Sequence, residues 1–146
     1  MDIQKFFTEI EKEAIKKAIY EAEMQTSGEI RVHIENVCKE DVLDHTAFLF
    51  KQLGMHKTEL RNGILFYLSI EDHQFAVIGD AGIHAKVGDD FWENIKNEMI
   101  DDFKKGEFCK GLCEGINKAG EQLKTFFPRS KNDINELNDD ISFKKN

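Results

Sequence analysis

The sequence has few of the residues on which several specialised protein classes depend. It contains one proline, one tryptophan and three cysteines among 146 residues. A chain of this length can bury a core without covalent staples, so an odd number of cysteines indicates reduced thiols and a cytoplasmic protein. The longest apolar run, about Ile64 to Leu68, is far shorter than the ~20 residues of a membrane-spanning helix. The N-terminus also has no signal-peptide pattern, so we expect no membrane insertion.

Positive charge is also scarce. The chain has 20 lysines and arginines against 28 acidic residues, which gives a formal net charge of −8. A general nucleic-acid binder needs a basic face, so this balance argues against nucleic acid as a partner. The hydrophobic fraction is 40% and the charged fraction 33%, which is typical of a folded globular domain rather than of a disordered chain.

Hydrophobic periodicity predicts alternating helices and strands. A helix begins at Thr8, which has capping-box spacing to Glu11, and ends near Gln25 with Ile10 on its buried face. Alternating and continuous apolar runs predict strands over 29–35, 64–68 and 75–78. The remaining patterns predict a helix over 41–53, a polar loop after residue 82, and two helices between Gly88 and Pro128.

This order predicts one α/β domain over residues 1–128. We expect a mixed three- to four-stranded sheet with helices on both faces, built from a βαββ core, an N-terminal helix and two C-terminal helices. Residues 129–146 are polar and mostly aperiodic, and we interpret them as a C-terminal tail that can dock through Ile141 and Phe143.

Three short polar motifs should meet at one edge of this sheet. Residues 27–29 (Ser-Gly-Glu) begin the first strand, and residues 61–63 (Arg-Asn-Gly) begin the second. A parallel crossover places these two starts side by side. The third strand runs back, so residues 79–82 (Gly-Asp-Ala-Gly) at its end return to the same edge.

Oxygen atoms and one guanidinium would gather at this edge, which makes it the candidate binding site. The candidate residues are Ser27, Glu29, Arg61, Asn62, Asp80, His84 and Asp89. Glu29, Asp80 and Asp89 could supply carboxylates to Ca²⁺ or Mg²⁺, and Arg61 could hold a phosphate. Alternatively, Asp80 pairs with Arg61 or caps a turn, Asp89 caps a helix, and His84 faces solvent.

The same motifs carry a resemblance to a known family. Residues 26–32, 61–65 and 78–83 resemble the successive blocks of the TPM domain family. The spacing of Gly106, Phe108, Gly111 and Leu112 is similar to the helical end of that family. The resemblance covers about residues 5–128.

The resemblance implies a mixed sheet flanked by helices and several expectations about function. Some members of the family are described as phosphatases and some as calcium-binding proteins, and some bacterial members accompany proteins of the LemA type. Many members have a signal peptide and a membrane anchor, which this sequence lacks, so we expect a bacterial domain free in the cytoplasm. The resemblance therefore implies a LemA-type protein as a possible partner.

Three hypotheses about function follow. The first is a binding or regulatory module that uses the polar edge for a divalent cation or a protein partner. The second is a weak metal-assisted phosphatase, in which carboxylates hold the cation and Arg61 orients the ester. The third is a wholly structural edge. Cys109 and Cys113 are predicted to pack beside Leu112 and Ile116 rather than to bind metal.

Overall fold

A computed structural model of the chain describes residues 2–129 and 141–144. Residues 130–140 and 145–146 of the predicted tail lie outside the described residues. The strands are β1 (Glu29–Glu35), β2 (Gly63–Ser69), β3 (Gln74–Gly79) and β4 (Ser142–Lys144). The helices are α1 (Glu9–Glu23), α2 (Val42–Gln52), α3 (Ala81–Val87), α4 (Asp89–Lys104) and α5 (Phe108–Phe126). Short 3₁₀ turns cover Ile3–Lys5 and Met55–Lys57.

The sheet is mixed and has four strands in the order β3-β2-β1-β4. β1 pairs with β2 in parallel, and β2 pairs with β3 as an antiparallel hairpin. Side chains alternate between the two faces of each strand. One face packs in the main core with α1, α4 and α5, and the other packs with α2. The predicted α/β class and the helices on both faces are confirmed.

The first helix forms for the reason that the sequence indicates. The Thr8 hydroxyl accepts a hydrogen bond from Glu11 N, and the Glu11 carboxylate accepts one from Thr8 N, which completes the capping box. Ile15 and Ile19 then pack in the main core. Ile10 is 83% exposed, so its predicted place on the buried face is wrong, and the buried stripe of α1 begins at Ile15.

Two elements differ from the expectation. The predicted loop after residue 82 is the short helix α3, whose N-cap is Asp80. Part of the predicted tail forms β4, which pairs in parallel with β1 and so adds the fourth strand. Arg31 holds β4 in place by donating from Nε and Nη2 to the Ser142 hydroxyl, at 3.0 and 2.8 Å. A three-residue strand has too little periodicity to be recognised in a sequence.

Across residues 2–129 and 141–144, no helix has both the length and the apolar character that a membrane crossing requires.

Candidate functional site

The three motifs meet as predicted, and we call their residues (27–29, 61–63 and 79–82) the motif edge. The register pairs Glu29 with Gly63 and Ile64 with Gly79. Main-chain hydrogen bonds join the motifs: Glu29 N donates to Asn62 O at 3.4 Å, and Asp80 N donates to Gly63 O at 2.9 Å. The two parallel strand starts and the antiparallel strand end therefore share one edge of the sheet.

Gly82 shows why the motif edge requires glycine. Its amide donates to Arg61 O at 2.8 Å. A Cβ atom at this position would lie 2.1 Å from Leu60 O and 2.7 Å from Arg61 O. The start of α3 therefore packs against the backbone before β2 at a distance that only glycine allows.

Asp80 and Arg61 form the main polar contact of the motif edge. Arg61 donates from Nε to Asp80 Oδ2 at 2.6 Å and from Nη2 to Oδ1 at 2.9 Å. This two-bond pairing raises the pKa of Arg61. Asp80 Oδ1 also accepts from Ala81 N at 2.8 Å and so caps α3. The guanidinium fork that could hold a phosphate is therefore already occupied by a carboxylate.

The remaining motif-edge candidates, Ser27, Glu29 and Asn62, are buried or half-buried. The side chain of Asn62 donates from Nδ2 to the Ser27 hydroxyl at 3.2 Å, and its main-chain N donates to the Thr58 hydroxyl at 3.2 Å. Glu29 and Asn62 are both buried, and Ser27 is half-buried. The Asn62–Ser27 bond joins the residues just before β2 to those just before β1, and the Thr58 contact is local to the turn before β2.

Two of the three predicted metal-binding carboxylates have side-chain partners in this arrangement: Asp80 pairs with Arg61, and Asp89 lies beside His84. Asp80 is held by Arg61, and Asp89 lies on α4 with its side chain 93% exposed. Calcium requires six to eight oxygen ligands, so isolated carboxylates are insufficient. Within the described parts of the chain, no group of three or more His, Cys, Asp or Glu residues is placed to hold a metal ion.

His84 and Asp89 lie beside the motif edge, where they help to form an open groove. Asp89 does not cap α4 with its side chain as predicted, because the N-cap is Gly88. Instead Asp89 Oδ1 lies 3.2 Å from His84 Nε2, and Trp92 Nε1 donates to His84 Nδ1 at 2.9 Å. The Trp92 ring packs so closely on β3 that a Cβ atom at Gly79 would lie 2.3 Å from it.

This groove, which we call the β3 groove, has a volume of about 460 Å³. It runs along β3 between the first turn of α2 and the first two turns of α4. Its lining residues are Leu43, Ala76, Val77, Ile78, Gly79, His84, Asp89, Trp92, Glu93 and Lys96. Apolar walls with a few polar groups are typical of binding sites.

A second polar cluster lies near the other end of β1, on the face covered by α2. Its centre is the fully buried carboxylate of Glu35. Tyr67 donates its hydroxyl hydrogen to Glu35 Oε1 at 2.7 Å, His45 Nε2 lies 2.6 Å from the same oxygen, and His33 Nε2 lies 3.3 Å from Oε2. His45 Nδ1 also lies 2.6 Å from Glu40 Oε1. We call residues 33, 35, 45 and 67 the Glu35 cluster.

The Glu35 cluster keeps its carboxyl group ionised. Burial opposes this ionisation, but hydrogen bonds from His33, Tyr67 and His45 outweigh it and lower the pKa of Glu35 to about 2. Burial and the contact with Glu35 raise the pKa of Tyr67, so its hydroxyl stays protonated and donates. Removing one partner of a buried charge is strongly destabilising, so we expect these contacts to hold β1, β2 and α2 together.

Local sequence patterns do not predict the Glu35 cluster. Strand alternation did place His33 and Glu35 on one polar face. That the face is buried depends on α2, which packs over it and brings His45 to Glu35. Cys109 and Cys113 pack against the main core as predicted, and burial raises the pKa of Cys113 to about 12.

Comparison with known proteins agrees with the sequence resemblance. Residues 1–122 match the TPM domain family. The fold is similar to the NMR structure of the BA42 protein from the psychrophilic bacterium Bizionia argentinensis, with a TM-score of 0.88 and 46% sequence identity. That match covers 95% of this chain and 96% of BA42. No curated protein matches the chain.

Proposed function

Because the chain belongs to the TPM domain family, we propose that it is a binding module that holds a protein partner in the β3 groove, beside the motif edge. One observation carries this proposal. The groove is open and lined by apolar side chains together with His84 and Asp89, two of the predicted site residues. The buried parts of the motif edge support the groove rather than bind the partner directly.

The contacts of the polar residues favour binding over catalysis. Arg61 donates hydrogen bonds to the Asp80 carboxylate, and Asn62 donates to the hydroxyls of Ser27 and Thr58. A nucleophile or a general base needs a free position next to the reacting group. The motif edge instead uses its polar groups to fix the start of α3, whose continuation into α4 places Trp92 against β3.

Trp92 provides a direct test, because it is the only tryptophan in the chain and lines the β3 groove. A purified LemA-type protein, the partner that the resemblance implies, should change the fluorescence of Trp92. It should also shift the amide NMR signals of Ile78, Gly79 and Lys96. Unchanged fluorescence and unchanged groove signals at saturating protein would contradict the proposal for this partner.

A matched pair of variants shows whether the β3 groove is responsible. Leu43 lines the groove and is 54% exposed, whereas Leu60 lies outside the groove lining and is 51% exposed. Leu43→Lys should weaken binding at least about tenfold, because a charge replaces apolar contact area in the interface. Leu60→Lys should leave the affinity within about twofold. Equal effects of the two variants would place the binding surface elsewhere.

Phosphatase activity remains a second prediction from the resemblance. The half-exposed guanidinium of Arg61 is the one feature that favours it, since a phosphate ester could compete with Asp80 for this group. If the prediction holds, Arg61→Gln should abolish turnover of a generic phosphate ester in the presence of calcium or magnesium, while circular dichroism shows an intact fold. Turnover that survives the substitution would rule out this site.

A further inference from the structure

Within residues 2–129 and 141–144, β3 is an edge strand, and no strand pairs with its outer side. Its antiparallel partner is β2, and Asp80 N donates to Gly63 O across this ladder. Residues of an antiparallel strand alternate between bonding their partner and facing away from it. Because Asp80 bonds to β2, the main-chain groups of Phe75, Val77 and Gly79 point away from β2. Val77 and Gly79 lie in the lining of the β3 groove.

The sequence of β3 contains none of the usual protection of an edge strand. Proteins commonly block such edges with charged side chains, proline or a bulge. Residues 74–79 (Gln-Phe-Ala-Val-Ile-Gly) have no charge and no proline, and their pairing with β2 runs without a bulge. In the part of the chain that the structure describes, this edge borders a groove with Leu43 on one side and Trp92 on the other.

We propose that the occupant of the β3 groove is an extended, basic segment of a partner protein, which adds to β3 as a fifth strand. This inference rests on the proposed function and specifies the partner and its binding mode. Another extended backbone can bond to the main-chain groups at every second residue of β3 together, as in strand addition to a sheet edge. Six residues of β3 span about 20 Å, so about six partner residues can pair.

The charge of the groove selects a basic segment. Its rim carries the carboxylates of Asp89 and Glu93, both on exposed residues, beside Lys96. The whole chain has a net charge of −8. Electrostatic complementarity therefore favours lysine or arginine next to the paired residues of the partner. A second copy of this chain is a poor occupant, because two acidic rims would face each other.

A displayed library of random ten-residue segments, selected against the full chain, provides the probe. Selection should enrich segments with alternating apolar residues and flanking basic residues. A synthetic peptide of the enriched sequence should shift the amide signals of Val77, Ile78 and Gly79. Glu93→Lys should weaken its binding at least tenfold, whereas Asp101→Lys, on an exposed residue of α4 outside the groove lining, should not.

N-methylation of the peptide tests strand addition directly. A strand that pairs on one side uses the amide of every second residue. We therefore compare two peptides, one N-methylated at the odd positions and one at the even positions. One of these two methylation phases should weaken binding at least tenfold, and the other less than twofold. A peptide that shifts the groove signals but tolerates both phases would overturn strand addition and leave the groove as a binding site. Enriched segments that are acidic or uncharged would overturn the charge assignment. If the library yields no segment that binds the β3 groove, strand addition is overturned. The proposed function fails only if, in addition, the LemA-type protein leaves the amide signals of the groove unchanged.

Discussion

The motif edge and the Glu35 cluster are both polar, and both connect β1 to β2, yet they are built on different principles. At the motif edge, short contiguous motifs bring backbones together, and their main ion pair has one exposed partner: the side chain of Arg61 is 53% exposed and that of Asp80 is 7% exposed. In the Glu35 cluster, single residues from separate elements surround one carboxylate that is fully buried. The first depends on shape and the second on a buried charge.

This difference predicts how each region responds to substitution. Where backbone contacts leave no room for a Cβ atom, an added methyl group is strongly destabilising. An exposed ion pair, in contrast, contributes little to the free energy of unfolding. A buried charge with several partners is costly to disturb, because every partner then loses its contact inside the protein. We therefore expect the largest loss of stability from added volume at the motif edge. A lost charge in the Glu35 cluster should cost less, and a lost charge at the motif edge should cost least.

The largest effect is expected for Gly82→Ala. The new methyl group would lie 2.1 Å from Leu60 O, a contact that the backbone can relieve only by moving α3 away from the start of β2. We expect a loss of more than about 3 kcal/mol in the free energy of unfolding. Urea denaturation measures this loss. A decrease below about 1 kcal/mol would show that the motif edge is not close-packed.

Gly54→Ala is the matched control for the added methyl group. Gly54 has a left-handed backbone, and its added Cβ would approach only the flexible end of Lys57, at 3.6 Å or more. The same substitution should cost about 1–2 kcal/mol there, from backbone strain alone. Equal losses for the two variants would indicate that close packing contributes nothing at Gly82.

The next largest effect is expected for Glu35→Gln. The neutral amide cannot accept from Tyr67, His45 and His33 as the carboxylate does. We expect a loss of about 3 kcal/mol at pH 7. Glu40→Gln is the control, because Glu40 and Glu35 both lie 2.6 Å from a nitrogen of His45 but Glu40 is exposed. It should cost less than about 1 kcal/mol, and similar losses would contradict the role of burial.

The pH dependence of stability tests the same carboxylate without changing its shape. The folded state lowers the pKa of Glu35 from 4.5 to about 2. The stabilisation is therefore fully present above pH 4.5 and is lost as the pH falls towards 2, where the folded carboxylate accepts a proton. At about 1.36 kcal/mol per pKa unit this contribution is about 3 kcal/mol. Glu35→Gln should reduce the loss of stability between pH 4.5 and pH 2. The same loss in wild type and variant would contradict the assignment of this pH dependence to Glu35.

Local patterns made the motif edge predictable. The start of β1 and the parallel pairing of β1 with β2 follow from alternation and chain order, and these place residues 27–29, 61–63 and 79–82 together. The helix α3 was not predicted, because the seven residues of Ala81–Val87 give too little periodicity. Its dependence on Asp80 as an N-cap is visible in the sequence only when the helix is already known.

The Glu35 cluster and the β3 groove depend on tertiary packing, which the sequence does not specify locally. Tyr67 lies in a continuously apolar run, and nothing in that run distinguishes a donor from a packing residue. Likewise the groove exists because α2 and α4 both lie against β3, the edge strand. Leu43, in the first turn of α2, is apolar but exposed, and it lines the groove.

The smallest effect of the three is expected for Asp80→Asn. The amide oxygen of asparagine can still cap α3, and Asn and Asp are about equally good N-caps. What is lost is the charge opposite Arg61, whose side chain is half-exposed, so we expect a cost of about 1 kcal/mol. High salt should reduce this difference, because it screens the wild-type pair. Glu35→Gln should keep its full cost in the same salt series, and a strong salt response there would erase the distinction between an exposed and a buried charge.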